Sequence, residues 1–346
     1  MINTIGWRSP SNIALIKYWG KKGHQLPANP SLSFTLENSF TETKLRWEKK
    51  KSKSIDLAFF FEGKQKPDFE QKVRRYFSDL SSELPFLRNY QFEIHSRNSF
   101  PHSVGIASSA SGMSALALCL CSLEQREKGN PSGQEDFFRR ASYLARLGSG
   151  SASRSVYGGF VTWGKIPGIA SSSDRFASPY KGRVHKNFLD FHDDILIVSS
   201  EKKAVSSRAG HELMNHHPFA ENRYRQAALN LKKLTRALSA GDFNSFCEIV
   251  ENEALTLHAL MLASVPSVVL WEPGTLHIIR KVKAFREETG LPVCFTIDAG
   301  PNVHLLYPDA IKVDIRQLIK EELVVYCATK EVISDKVGRG PKKLIE

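Results

Sequence analysis

Pro101-His102-Ser103-Val104-Gly105-Ile106-Ala107-Ser108-Ser109-Ala110-Ser111-Gly112 is the stretch around which the chain is organised. It is small and hydroxyl-rich, and the apolar run Met113 to Leu123 follows directly. That order predicts a loop opening into a buried helix. The first N–H groups of a helix have no partners inside it, and the helix dipole puts partial positive charge there. Small side chains let a phosphate approach those N–H groups, and serine hydroxyls add donors. The same residues would also suit an ordinary helix start with serine as N-cap. The stretch alone leaves both readings open.

Upstream, Tyr90 to His95 reads as a strand entering the loop, and Phe69 to Leu80 has helical spacing. Earlier still, Ser31-Leu32-Ser33-Phe34-Thr35-Leu36 alternates with period two, as a half-buried strand should. Leu45 to Phe61 suggests a hairpin tipped by Lys49-Lys50-Lys51-Ser52-Lys53. Downstream, Gly129-Asn130-Pro131-Ser132 breaks the chain, and Ser132 is placed to cap a helix from about Gln134 to Leu147. Gly148-Ser149-Gly150-Ser151-Ala152-Ser153-Arg154-Ser155 is a second small, hydroxyl-rich loop, now with an arginine in it. Tyr157 to Trp163 reads as a strand, and the polar stretch to His185 as a surface excursion. The division into two halves, 1–185 and 186–346, is placed there.

In the second half, Ile195 to Ser199 reads as a buried strand, followed by helices at about 209–217, 219–239, 242–264 and 273–288. Val293–Ile297 and Val303–Tyr307 flank the turn Asp298-Ala299-Gly300-Pro301-Asn302. A helix at about 313–322, a strand at 323–328 and a basic tail close the chain. The order of elements is mixed and not a regular βαβ repeat, which predicts α+β layers.

Composition narrows the function. The 346 residues suit two domains, and 41% hydrophobic with 24% charged is ordinary for a globular protein. Net charge is +12, from 48 basic and 36 acidic residues, so anionic partners are favoured. The five cysteines are odd in number, mostly in apolar runs, and form no CxxC pair, which fits buried thiols in a reducing compartment. Lys17 interrupts the early apolar patch, and no window reaches the ~18 apolar residues of a membrane span. A cytoplasmic protein without membrane or nucleic-acid partners is the expectation. No P-loop, dinucleotide fingerprint or G-x-S-x-G is present. His211 to His217 resembles HExxH, but Asn215 occupies the second histidine position.

Four constellations remain: Asn12 with Lys17, Tyr18, Trp19 and Lys21; the serine loop; Ser149, Ser151 and Arg154; and Asp298. Lysine and aromatic groups at a strand end can clamp a polyanion, or simply snorkel. An arginine fork suits bidentate capture of a carboxylate or phosphate. Asp298 could shape its turn or act as a base. Three anion-friendly loops and one isolated aspartate together favour phosphoryl transfer.

With these residues in hand, the chain resembles the GHMP kinase superfamily and, within it, the diphosphomevalonate decarboxylases. The matching segments are IALIKYWGKKG, PANPSLSFTL, FPHSVGIASSASG, GSGSASRSVYGGFVTWG, VSSRAGHELM and FTIDAGPN, in the family's order from residue 11 to 302. The resemblance implies a two-domain α+β fold, the N-terminal domain like ribosomal protein S5 domain 2 and the C-terminal one ferredoxin-like. It implies ATP-dependent decarboxylation of mevalonate 5-diphosphate to isopentenyl diphosphate, with Mg²⁺, in a homodimer. By the same resemblance Asp298 is the catalytic aspartate, Lys17 lies beside it, and Arg154 holds the substrate carboxylate with Ser149 and Ser151. Asn12, Tyr18, Trp19 and Lys21 would line the substrate site. Ser103, Gly105, Ala107, Ser108, Ser109, Ser206 and Ser207 would meet the nucleotide, with Ser108 a possible magnesium contact. The chain departs from the family at His102 and Ser103 (usually Thr-Ala), Pro30 (often Ser), Ser153 (usually Cys) and His211 (commonly Met). These changes bear on substrate fit more than on reaction type. The alternatives are a relative acting on mevalonate or its monophosphate, or a non-catalytic polyanion binder.

Overall fold

The computed structural model describes residues 3–101, 106–129, 133–169, 171–201, 205 and 207–345, except for the side chains of 207 and 208. The first half contains β1 (Asn3–Ile16), β2 (Lys21–Lys22), β3 (Leu26–Pro27), β4 (Ser31–Lys49), β5 (Asp56–Phe61) and β6 (Lys64–Gln65). It continues with α1 (Pro67–Leu80), β7 (Tyr90–Asn98), α2 (Ser108–Lys128), α3 (Gln134–Gly148), β8 (Phe160–Trp163) and β9 (Ala177–Pro179). The second half contains β10 (Phe191–Leu196), α4 (Ser207–Glu212), α5 (Ala220–Ala240), α6 (Phe243–Leu262) and α7 (Pro273–Thr289). β11 (Cys294–Thr296), β12 (Val303–Pro308), α8 (Lys312–Leu318), β13 (Val332–Lys336) and β14 (Lys342–Ile345) complete it.

An eight-stranded sheet runs β14-β1-β4-β7-β5-β6, with β8 on β4 and β9 on β8. A four-stranded sheet runs β11-β12-β10-β13. β14 thus carries the chain end back onto β1 of the first sheet. The apolar run after the serine loop becomes α2, which is buried nearly all round because β1, β4 and α3 all pack against it. A hydroxyl seam fixes its N-terminal half on the sheet. Ser9 Oγ donates to Ser114 Oγ at 2.6 Å, Thr41 and Ser111 share a 2.6 Å bond, and Ser11 Oγ donates to the Ile106 carbonyl.

One apolar cluster belongs to the first half, with Leu45, Phe77, Phe92 and Leu118, and another to the second, with Ile278, Phe295, Leu305 and Ile315. A third crosses between them: Ile13, Leu32 and Phe34 pack with Phe188, Ile195, Leu231 and Phe246. Among the described residues no helix is long and apolar enough to cross a membrane.

Four expectations are corrected. Residues 45–61 are not a hairpin: β4 pairs with β7 antiparallel, and β5 joins the far side of β7 in parallel. Ser31–Leu36 is fully buried and not half-buried, because elements cover both faces of β4 there. The strand expected at Ile195–Ser199 is Phe191–Leu196. Its Asp193 and Asp194 concealed it, and both are accommodated from β12, by His304 and Tyr307. Residues 323–328 are helical turns, with the strand at 332–336. Leu323 and Cys327 point inward four residues apart, a helical period masked by the apolar run between them.

Candidate active site

The residue ahead of α2 is Ala107, in the left-handed region at φ 45°, so no serine side chain caps the helix. Ala107 O accepts from the Ala110 and Ser111 N–H groups. This turn presents the N–H groups of Ser108 and Ser109 ahead of a 21-residue helix, with Ser108 half-buried and Ser109 exposed. Ser103, Gly105 and Ser206 lie outside the described residues, as do His102 and Ser132. Ser207 opens α4.

Lys17 follows the last residue of β1 and is among the largest fully buried side chains. A buried ammonium needs a partner, because desolvation costs several kcal/mol per ion. Its Nζ lies 2.7 Å from Asp298 Oδ1, across 281 positions of sequence. Asp298 sits in the turn between β11 and β12, its side chain 29% exposed and so open to a ligand. The Lys17 peptide is held from both sides. Its N–H donates to Glu253 Oε2 at 2.9 Å, and its carbonyl accepts from Asn29 Nδ2 and Arg223 Nη2. Arg223 grips Glu253 with bonds of 2.8 and 2.6 Å.

Arg154 lies buried in the loop after α3. Its Nε donates to Asn12 Oδ1 at 3.1 Å and its Nη1 to Ser31 Oγ at 2.7 Å. Asn12 Nδ2 in turn donates to Ser155 Oγ and the Ser151 carbonyl, which settles the orientation of the Asn12 amide. Burial pulls the guanidinium down to about 10, while Asp298 and Tyr18 hold it up, so it stays charged at neutral pH. Ser149 follows α3, its N–H bonded to the Ala145 carbonyl, and Ser151 is half-buried in the same loop.

Tyr18 packs edge-on against Trp163 at 4.7 Å and against His211 at 4.3 Å. Its hydroxyl is buried with no hydrogen-bond partner among the described residues. Burial pushes this phenol up against the pull of Arg154 and Arg146, so it remains a donor. Trp19 packs with Met214, Leu257 and Met261 and stacks on His211 at 4.7 Å. His211 Nδ1 accepts from the Gly20 N–H, and burial with nearby Lys21 and Arg154 pushes its pKa well down. Its imidazole is therefore neutral.

The structure thus brings Asn12, Lys17, Tyr18, Arg154 and Asp298 to one place. Sequence reasoning missed Asn29, Ser31, Arg223, Glu253 and His258, the last bonding the Asp298 carbonyl at 3.0 Å. No short motif marks them: Arg223 and Glu253 lie on different helices, 30 positions apart. A weak signal is available in α6, where Glu253 and His258 stand at positions that the fold buries among apolar residues.

A cation paired with a carboxylate, an arginine fork and a small-residue turn opening a buried helix, in a two-domain α+β frame, define an enzyme of the GHMP kinase type. The model for the diphosphomevalonate decarboxylase-like N-terminal domain matches residues 9–177, and that for the mevalonate 5-diphosphate decarboxylase C-terminal domain matches 194–344. Diphosphomevalonate decarboxylase of Ganoderma lucidum is 32% identical over 95% of this chain and 84% of its own length. The crystal structure of mevalonate diphosphate decarboxylase from Staphylococcus aureus is similar with a TM-score of 0.84 and 30% identity, covering 99% of this chain and 98% of that one. A solved chain described as MDDEF in complex with MVAPP, AMPPCP and magnesium covers all of both chains at TM-score 0.85 and 28% identity. The chain belongs to the diphosphomevalonate decarboxylase family.

Proposed function

We propose that this protein converts mevalonate 5-diphosphate to isopentenyl diphosphate, consuming ATP and releasing ADP, phosphate and CO₂. The observation that carries the reading is the 2.7 Å Lys17–Asp298 pair with buried, charged Arg154 close enough to feel Asp298. Asp298 orients the C3 hydroxyl and accepts its proton as that oxygen attacks the γ-phosphorus of ATP. Lys17 stabilises the negative charge that develops there. The tertiary hydroxide, a poor leaving group, is thereby made into phosphate. When the C3–O bond breaks, the electron pair of the carboxylate C–C bond forms the alkene and CO₂ departs. Arg154, with Ser149 and Ser151, holds that carboxylate until then.

Tyr18 and Lys21 grip the diphosphate, which supplies the acceptor that the buried Tyr18 hydroxyl lacks among the described residues. Asn12 positions Arg154, and Trp19 supports the wall formed with His211. The N–H groups after the left-handed turn at Ala107, with the Ser108 and Ser109 hydroxyls, suit the ATP phosphates. Ser103, Gly105, Ser206 and Ser207 belong to the same nucleotide site in this proposal. Magnesium, when bound, would neutralise phosphate charge, with the Ser108 hydroxyl as a contact.

The proposal divides the chain at 185/186, the first half carrying Lys17 and the phosphate loop, the second Asp298. The family-model bounds at 177 and 194 lie either side of that point. It also includes a cytoplasmic homodimer acting on small molecules, with neither nucleic acid nor membrane as partner. Five buried free thiols support the reducing compartment, and light scattering would test the dimer.

The deciding experiment supplies ATP and Mg²⁺ with mevalonate, its 5-phosphate or its 5-diphosphate, and follows ADP, phosphate and CO₂ together. Stoichiometric release of all three with the diphosphate alone is expected. ADP without CO₂ would make the protein a kinase, and CO₂ from the monophosphate would change the substrate.

A further inference from the structure

We infer that helix α6 holds both members of the Lys17–Asp298 pair in register, with Glu253 and His258 as positioning residues; this rests on the catalytic roles proposed above. Lys17 lies beyond the end of β1 and Asp298 beyond the end of β11, so neither peptide is fixed by its strand. Each is held instead by a side chain of α6, together with Asn29 and Arg223 on the Lys17 carbonyl and the Gly300 N–H on the Asp298 carbonyl at 2.7 Å. Glu253 Oε2 accepts the Lys17 N–H at 2.9 Å, and His258 Nε2 bonds the Asp298 carbonyl at 3.0 Å. A carbonyl oxygen only accepts, so His258 carries its proton on Nε2. The two anchors are five residues apart on one helix, a rise of about 7.5 Å.

Both anchors are themselves immobilised. Glu253 is wholly buried, gripped twice by Arg223 and once by Asn230 at 2.7 Å. Arg223 also donates to the Lys17 carbonyl, so the ion pair brackets that peptide on both sides. His258 is buried and stacks on Trp271 at 4.9 Å. A neutral side chain would suffice to accept one N–H. A buried carboxylate–guanidinium pair is weak evidence for stability, because desolvation offsets its attraction. Its rigid two-pronged geometry accounts for its use here.

The test is steady-state kinetics on the full chain. His258→Phe keeps the stack on Trp271 and removes the donor, whereas His258→Gln supplies an N–H again. His258→Phe should lower kcat about 30-fold with KM for both substrates within about twofold, and His258→Gln should recover most of the loss. Glu253→Gln keeps one oxygen for Lys17 and Arg223 Nη2 but replaces Oε1, which accepts from Arg223 Nη1 and Asn230, with an amide that only donates; the anchor loosens, and kcat should fall about tenfold. The double variant should lose less than the product of the two, because both act on one separation. Wild-type kcat in His258→Phe, equal losses in His258→Phe and His258→Gln, or a strictly multiplicative double variant would each overturn the inference. Should His258→Phe not fold, Glu253→Gln decides alone, and kcat within twofold of wild type overturns it. Wild-type protein inactive on mevalonate 5-diphosphate overturns the proposed function as well, whereas active wild-type protein with unaffected variants overturns only the role of α6.

Discussion

Two of the Arg154 nitrogens are committed to Asn12 and Ser31, so the guanidinium is aimed before any ligand arrives. Lysine has no planar fork and cannot make both bonds while reaching a carboxylate. Arg154→Lys should lower kcat/KM about 100-fold, corresponding to roughly 2.7 kcal/mol. Steady-state assays giving an unchanged kcat/KM would remove Arg154 from the site. Asp298→Ala should abolish turnover while calorimetric ATP affinity persists, since in the proposed function the start of α2, and not Asp298, holds the ATP phosphates. Wild-type turnover in that variant would exclude Asp298 as the base. Asn12, Lys17, Tyr18, Arg154 and Asp298 were legible from sequence because each stands in a short motif. Glu253, Arg223 and His258 were not, because they bond one another or peptide groups of residues far along the chain.

At the scale of elements, Glu42 on β4 sits between Arg8 on β1 and Arg97 on β7 and ties three strands together. Burial raises its pKa, but hydrogen bonds from Arg8 and Arg97 outweigh this and leave it below the usual carboxylate range. A depressed folded value means the unfolded chain binds the proton more tightly. The stabilisation is therefore present above the unfolded value, about 4.3, and is lost as pH falls through the folded one. Urea midpoints should show Glu42→Gln destabilising at pH 7 and nearly neutral well below pH 4. An equal loss at both pH values would contradict this. α5, α6 and α7 were legible from their spacing and lie within two residues of expectation at each end, whereas the helix expected at 209–217 stops at Glu212 and the one expected at 313–322 stops, as α-helix, at Leu318. The hairpin expected at 45–61 failed because sequence spacing carries no information on which strand is a neighbour.

At the scale of the molecule, Asp335 on β13 joins the two sheets. Its carboxylate accepts the N–H groups of Glu37, Asn38 and Ser39 on β4 at 2.8, 2.8 and 2.7 Å. Asp335→Ala would strand those donors. Partial exposure of Asn38 and Glu37 lets water replace part of the loss, so a cost of about 2 kcal/mol is expected. Denaturant unfolding would register it as a lower midpoint, and an unchanged midpoint would show that the contact contributes nothing.

The sequence by itself determined the α+β class, the buried helix behind the serine loop, and the residues that the fold brings together at the candidate site. Those features rest on local periodicity, turn residues and short motifs, all of which act within a few positions. Only the tertiary structure decided that β14 returns to the first sheet, that Lys17 meets Asp298, and that one helix holds both. These depend on contacts between residues up to hundreds of positions apart, where burial forces each charge and each peptide group to find a partner.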